Sequence, residues 1–119
     1  MKHEKENPRL GNLIKELKKK SIDEKVKLWK RIASDLEKPS RQRRIVNLSR
    51  INRYTKENET IIVPGKVLGS GLLEHKLAIA AFDFSISAKE KIKSSGSEAI
   101  SIEELMTKPV KGRRVRVIG

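Results

Sequence analysis

The sequence predicts an α/β fold: a small single domain of short strands and helices, preceded by an N-terminal pair of helices. Three observations carry that reading. Residues 7–38 repeat apolar side chains at helical spacing between recognisable end signals. Residues 61–92 are where charge thins: from Ile61 to Leu73 the only charged residue is Lys66, and from Leu77 to Ala88 it is Asp83. Beyond residue 60, strand-like and helix-like segments alternate, the rhythm of an α/β or α+β unit rather than a bundle or a sandwich. A chain of 119 residues suits one domain. Its expected parts are a helical hairpin at 7–38, an α/β core at 41–107 and a basic tail at 108–119.

Asn7-Pro8 opens the first helix, with Asn7 as N-cap and Pro8 at the first helical position. Leu10, Leu13, Ile14 and Leu17 follow as one apolar stripe. Lys18, Lys19 and Lys20 would then close the helix, complementing its dipole or touching RNA. Ser21 and Glu24 have the spacing of a capping box. A second helix is therefore expected from about Ile22 to Lys38, stopped by Pro39. Ile22, Val26, Trp29, Ala33 and Leu36 form its apolar face. Trp29 reads as the packing anchor of an antiparallel hairpin rather than a base-stacking platform, because such platforms come in groups.

Charge bounds the function. Twenty-eight Lys and Arg against fifteen Asp and Glu leave +13. Such an excess repels itself unless a polyanion neutralises it, and nucleic acid is the first candidate, an anionic membrane surface the second. No apolar run approaches the roughly 20 residues of a membrane helix. The sequence has no cysteine, which excludes disulfides and thiolate-held metals. The N-terminus lacks the apolar segment of a secretory signal. Residues 38–56 are the most lopsided stretch. Lys38, Arg41, Arg43, Arg44, Arg50, Arg53 and Lys56 occur there with no acid among them. Arginine offers a planar fork that grips phosphate bidentately and stacks on bases. Ile45, Val46, Leu48 and Ile51 would pin this segment to the core as a short strand or helical turn, leaving the arginines outward.

The second half is read from β-branching and caps. Ile61-Ile62-Val63 is a strand, broken by Pro64-Gly65 and resumed at Val67-Leu68. Gly69-Ser70-Gly71 turns, and Leu77 to Phe84 is a second buried strand. Ser87 and Glu90 have capping-box spacing for a helix to about Ser95, with Ile86, Ala88 and Ile92 facing the sheet and Gly96 following as C′ residue. Residues 97–100 form a short strand. Ser101 and Glu104 cap a last short helix that ends at Pro109, and Val115, Val117 and Ile118 lend the tail strand character.

The glycine-lysine loop is not a nucleotide-binding loop. A P-loop places lysine and a hydroxyl after its last glycine, but Leu72 and Leu73 follow Gly71. The dinucleotide fingerprint fails too, because Glu74 stands at its third glycine position. These glycines read as a tight turn against RNA phosphate or the protein's own sheet. Catalysis lacks a constellation. His3 and His75 are the only histidines and stand far apart, and His75 reads as an exposed turn residue. No metal-ligand spacing and no nucleophile elbow appear.

Several strings have a familiar look. Val63-Pro64-Gly65-Lys66-Val67-Leu68-Gly69-Ser70-Gly71 is the most specific of them. Leu77 to Ala81, Phe84-Ser85, Ser87-Ala88-Lys89, Lys91-Ile92 and Val46-Asn47-Leu48-Ser49-Arg50-Ile51 accompany it. Together they resemble the archaeal and eukaryotic family of large-subunit ribosomal protein eighteen-e, across roughly residues 7–119. The resemblance implies a domain shared with bacterial ribosomal protein fifteen. It also implies a fold of irregular strand–strand–helix turns after the N-terminal helices, and a structural role without catalysis or cofactor.

The expected function is thus a structural constituent of the large ribosomal subunit, in the cytoplasm. Its expected partners are ribosomal RNA and neighbouring ribosomal proteins, with no membrane and no small-molecule substrate. A DNA or chromatin protein is the alternative that shares the charge. The expected RNA contacts are Arg41, Arg43, Arg44, Arg50, Arg53, Lys66 in the glycine loop, and Lys111, Arg113, Arg114 and Arg116 in the tail. The tail is expected to order only on binding.

Overall fold

The computed structural model describes residues 7–39, 43–108 and 115–119. The chain divides into two compact units, Met1–Arg43 and Arg44–Gly119.

The first unit is a pair of packed helices, α1 (Pro8–Glu24) and α2 (Lys27–Leu36). Asn7 caps α1 as expected, its side chain accepting from the Leu10 amide at 3.2 Å. The junction differs from the expectation. Ser21 caps nothing, because α1 runs straight through it to Glu24 and ends on Lys25 in the left-handed region (φ 56°). The lysine run therefore lies inside the helix. Lys20 pairs with Glu24 one turn on, and Lys18 with Glu37 just after α2, each at 2.6 Å. Ile22 consequently belongs to α1, about 140° round the axis from Leu17, and is exposed. Leu10, Leu13, Leu17, Trp29, Ile32, Ala33 and Leu36 are buried.

The second unit is a five-stranded, wholly parallel sheet. In chain order its elements are β1 (Arg44–Asn47), α3 (Leu48–Tyr54), β2 (Thr60–Leu68), β3 (Ala78–Phe84), α4 (Ile86–Ser94), β4 (Glu98–Ser101), α5 (Ile102–Met106) and β5 (Val115–Val117). The stretch from Arg44 is thus both a strand and a helix. β2 is the centre. β3 pairs along one edge, while β1 pairs with Gly65–Leu68 and β5 with Thr60–Ile62 on the other. Five consecutive β2 residues, Ile61 to Gly65, are buried, as befits a parallel strand covered on both faces.

Pro64-Gly65 does not break β2. Val63 pairs with Ala81 and Lys66 with Asp83, so β2 carries one extra residue over that span, a bulge. A proline lacks the N–H that a central strand must donate, and a bulge is where a sheet tolerates it. Gly65 is required there for closeness. A Cβ at this position would fall 2.0 Å from the Arg44 carbonyl oxygen.

β2 and β3 are joined by residues 69–77 without a helix, unusually short for a parallel crossover. This segment lies along α3 and borrows its side chains. Ser49 N–H donates to Ser70 O (2.9 Å), and Ser70 N–H donates to Asn47 Oδ1 (3.2 Å). Asn52 and Glu74 exchange two bonds, at 2.8 and 2.9 Å. The Thr55 hydroxyl donates to Ile51 O and lies 2.7 Å from His75 Nε2. His75 is thus half-buried and bonded, not an exposed turn residue. Lys91 of α4 donates to the carbonyls of Gly69 and Gly71, at 2.7 and 3.1 Å. Leu73 and Leu77 drop into the core with Val46, Leu48, Ile51, Ile61, Val63, Val67, Ile79, Ala88 and Ile92.

Ser85, not Ser87, caps α4, accepting from the Ala88 amide at 3.2 Å, and Ile86 points to solvent. The helix starts earlier because the Ser85 amide is bound to Val67 O at 2.9 Å, which anchors the chain one step after β3. Gly96 follows α4 with φ 81°, as expected of a C′ glycine. The Ser101–Glu104 capping box on α5 is present. Of the tail 108–119, expected to order only on binding, residues 109–114 lie outside the described residues. β5 completes the sheet and Ile118 is buried.

Candidate nucleic-acid interface

Of the ten residues expected to contact RNA, Arg41, Lys111, Arg113 and Arg114 lie outside the described residues. The others are placed very differently from one another. Arg43, in the first unit, is half-buried, and its guanidinium donates to the carbonyls of Leu36 and Lys38, each at 3.3 Å, closing the end of α2. Arg44 opens β1 half-buried, its aliphatic stem lying against Gly119. Lys66 is exposed, but on β2 and not in the glycine loop, with Ile45 and Asp83 as its register neighbours.

Arg116 is engaged within the protein. Its guanidinium pairs with Glu59 at 3.2 Å and donates to the Tyr54 carbonyl, tying β5 to the end of α3. The ion pair is partly buried on the Glu59 side. Its Nη2 group is turned to Tyr54 and Glu59, while the side chain as a whole stays 41% exposed.

α3 has the opposite character on its outer face. Leu48 and Ile51 point to the core, so Arg50, Arg53 and Tyr54, three and four residues apart, share the solvent side. Arg53 makes no hydrogen bond or ion pair among the described residues. The Arg50 guanidinium lies 5.3 Å from the centre of the Tyr54 ring, a cation–π contact, and donates to the Gly119 backbone oxygen at 3.3 Å.

Two features escaped the sequence reading. The first is Tyr54. Trp29 is fully buried, whereas Tyr54 is 51% exposed and already stacked with an arginine. The i,i+4 spacing of Arg50 and Tyr54 was the available signal. The second is the outer face of α2, where Lys27, Lys30 and Arg31 are exposed. Asp35, one turn after Arg31, is buried and paired with Lys38 at 3.4 Å, and Glu37, just after the helix, is held by Lys18. Like charges at Lys27 and Arg31 cost a helix roughly 0.2–0.5 kcal/mol. A surface that keeps them suits an anionic partner.

The described residues include no group of three or more histidine, cysteine or acidic side chains able to hold a metal ion. No helix among them is long and apolar enough to cross a membrane. What the faces offer is positive charge on rigid elements, with one aromatic ring.

Comparison with known proteins identifies the context. The profile of a family described as ribosomal proteins 50S-L15 and 50S-L18e, together with a 60S counterpart, matches residues 25–100. The chain belongs to this family. The match runs from the α1–α2 junction into β4, so it takes in the α2 face, α3 and the crossover. Over nearly its whole length the chain is also similar to archaeal relatives named large ribosomal subunit protein eL18. It is 50% identical to that of Methanoregula boonei over 97% of this chain and 95% of the relative. It is 47% identical to that of Methanospirillum hungatei (98% and 97%) and 42% identical to that of Methanothermobacter thermautotrophicus (96% and 94%). The family resemblance read from the Val63–Gly71 string and its companions is thereby confirmed.

Proposed function

We propose that the exposed basic faces of α2 and α3 hold this protein on ribosomal RNA, with Lys27, Lys30 and Arg31 on one helix and Arg50 and Arg53 on the other. Lys66, Arg44 and the basic residues of the segment before β5 add to them. Family membership makes the chain a structural constituent of the large ribosomal subunit, located on cytoplasmic ribosomes, and not an enzyme. Its partners are ribosomal RNA and other ribosomal proteins. The observation that carries the RNA reading is a net charge of +13 combined with exposed cations on α2 and α3 that no acid among the described residues neutralises.

An A-form helix hides its major groove, so these faces read backbone and shape more than sequence. If six to ten phosphates are contacted, affinity for large-subunit RNA falls by roughly 10³–10⁵ between 50 and 200 mM salt. Filter binding across that range tests it, with duplex DNA as competitor. A flat salt response, or DNA competing as well as RNA, defeats the proposal.

A further inference from the structure

The groove between α3 and β5 points to a finer contact, which rests on the RNA reading above: we propose that it receives one unstacked nucleotide, its base lying on the Arg50–Tyr54 pair. The groove has a volume of about 250 Å³ and is lined by Arg50, Tyr54, Arg116, Val117, Ile118 and Gly119. Its chemistry is mixed in a telling way. A half-exposed aromatic ring provides a flat π-surface. The planar Arg50 guanidinium lies over that ring, 5.3 Å from its centre, and a base can extend the stack that the pair begins. Val117 and Ile118 complete the groove's lining. Arg50 has five N–H donors and uses one on the Gly119 oxygen. The others are available to a phosphate, and Arg53 adds its charge one turn along the same face.

The platform is also tied to β5. Arg116 donates to the Tyr54 carbonyl, which fixes the end of α3 that carries the ring. The side-chain carboxylate beside it, Glu59, is neutralised by that same Arg116 at 3.2 Å, so it does not repel an anion. A flat ring attached to an anion is what such a groove complements. Bases inside a duplex are stacked on one another and cannot present that face, so the ligand is a nucleotide outside the helix. A lipid phosphate has no ring to stack, and an acidic peptide has the charge without the base.

Tyr54 is the only tyrosine in the chain, so its ring protons report on the groove without ambiguity. The intact protein is titrated with short oligoadenylate, with an RNA duplex of equal charge, and with an acidic peptide. Oligoadenylate is expected to move the ring resonances upfield, and duplex and peptide to leave them in place. Tyr54→Leu should weaken oligoadenylate binding roughly 5- to 150-fold, the range of one base–aromatic stack, and Tyr54→Phe should bind within about twofold of wild type. Circular dichroism confirms that both variants fold, and the ring shift in the unmutated protein stands independently of them. An unmoved ring, an equal response to duplex or peptide, or a Leu variant that binds like wild type overturns the inference. If large-subunit RNA still binds with its steep salt dependence in that event, only the groove is lost. If it does not, the RNA reading falls as well.

Discussion

The crossover at residues 69–77 and the outer face of α3 belong to the same unit and use polar groups in opposite ways. Along the crossover, the hydrogen-bonding groups of Asn47, Ser49, Asn52, Thr55, His75 and Lys91 meet partners inside the protein. On the outer face of α3, Arg53 meets none among the described residues, and Arg50 lies over an exposed ring. The difference teaches that a glycine-rich loop carrying lysine is not thereby a phosphate loop. Here its glycines let main chain lie against main chain, and the nearby lysine that binds it, Lys91, caps its carbonyls. The arginines make the same point. Arg116 and Arg53 look equivalent in sequence, yet one ties β5 to α3 and the other faces water.

Four substitutions can break or sharpen that comparison. The largest effect is expected at Gly71, whose φ of 93° and close approach to Ser49 (2.6 Å from a would-be Cβ to the Ser49 Cβ) leave no room for a side chain. Gly71→Ala should cost about 3 kcal/mol or more of stability, read from the urea midpoint. RNA affinity per folded molecule should not change. Thr55→Val comes next. It removes the hydroxyl that joins Ile51 and His75 while keeping the shape, and a loss of about 1–2 kcal/mol is expected by the same measurement. Arg116→Gln should lower stability by about 1 kcal/mol, a value discounted because the pair is only partly buried. The slope of its salt dependence of RNA binding should change less than in the Arg53 variant, because Arg116 already spends its charge on Glu59. Arg53→Gln should do the reverse. Stability should change by less than about 0.5 kcal/mol, and the slope of log affinity against log salt should flatten by roughly one. If the two arginine variants behave alike, the distinction between a cation paired within the fold and one facing water is wrong.

Much of the fold was legible because the relevant signals are local. Asn7-Pro8, Gly96 and the Ser101–Glu104 box act within a few residues, and all three stand as expected. The continuous β-branched run of Ile61 to Val63 marked the central strand. Local signals failed where two were in competition. Ser21 and Glu24 fit a capping box, but the Lys20–Glu24 pair and an unbroken helical run carried α1 past them. Ser87 and Glu90 fit another, but Ser85 was already fixed by its bond to Val67. The basic surface was legible in number and not in place. Counting charges located residues 38–56, yet it treated Arg43, Arg44 and Arg53 alike and passed over the outer face of α2.

By itself, the sequence determined the class of the fold, the family, the polyanionic partner and the absence of cysteine chemistry. Each of these depends on composition, on short motifs or on spacing along the chain. Only the tertiary structure decided that Pro64-Gly65 is a bulge within β2, that the crossover lies on α3, and that β5 joins the sheet edge beside β1. It alone separated Arg116 from Arg53. The physical reason is that a cation's role depends on whether a carboxylate or carbonyl lies within about 3 Å of it, as set by geometry. Glu59 and Arg116 are 57 residues apart in the chain, and nothing short of the folded sheet brings them together.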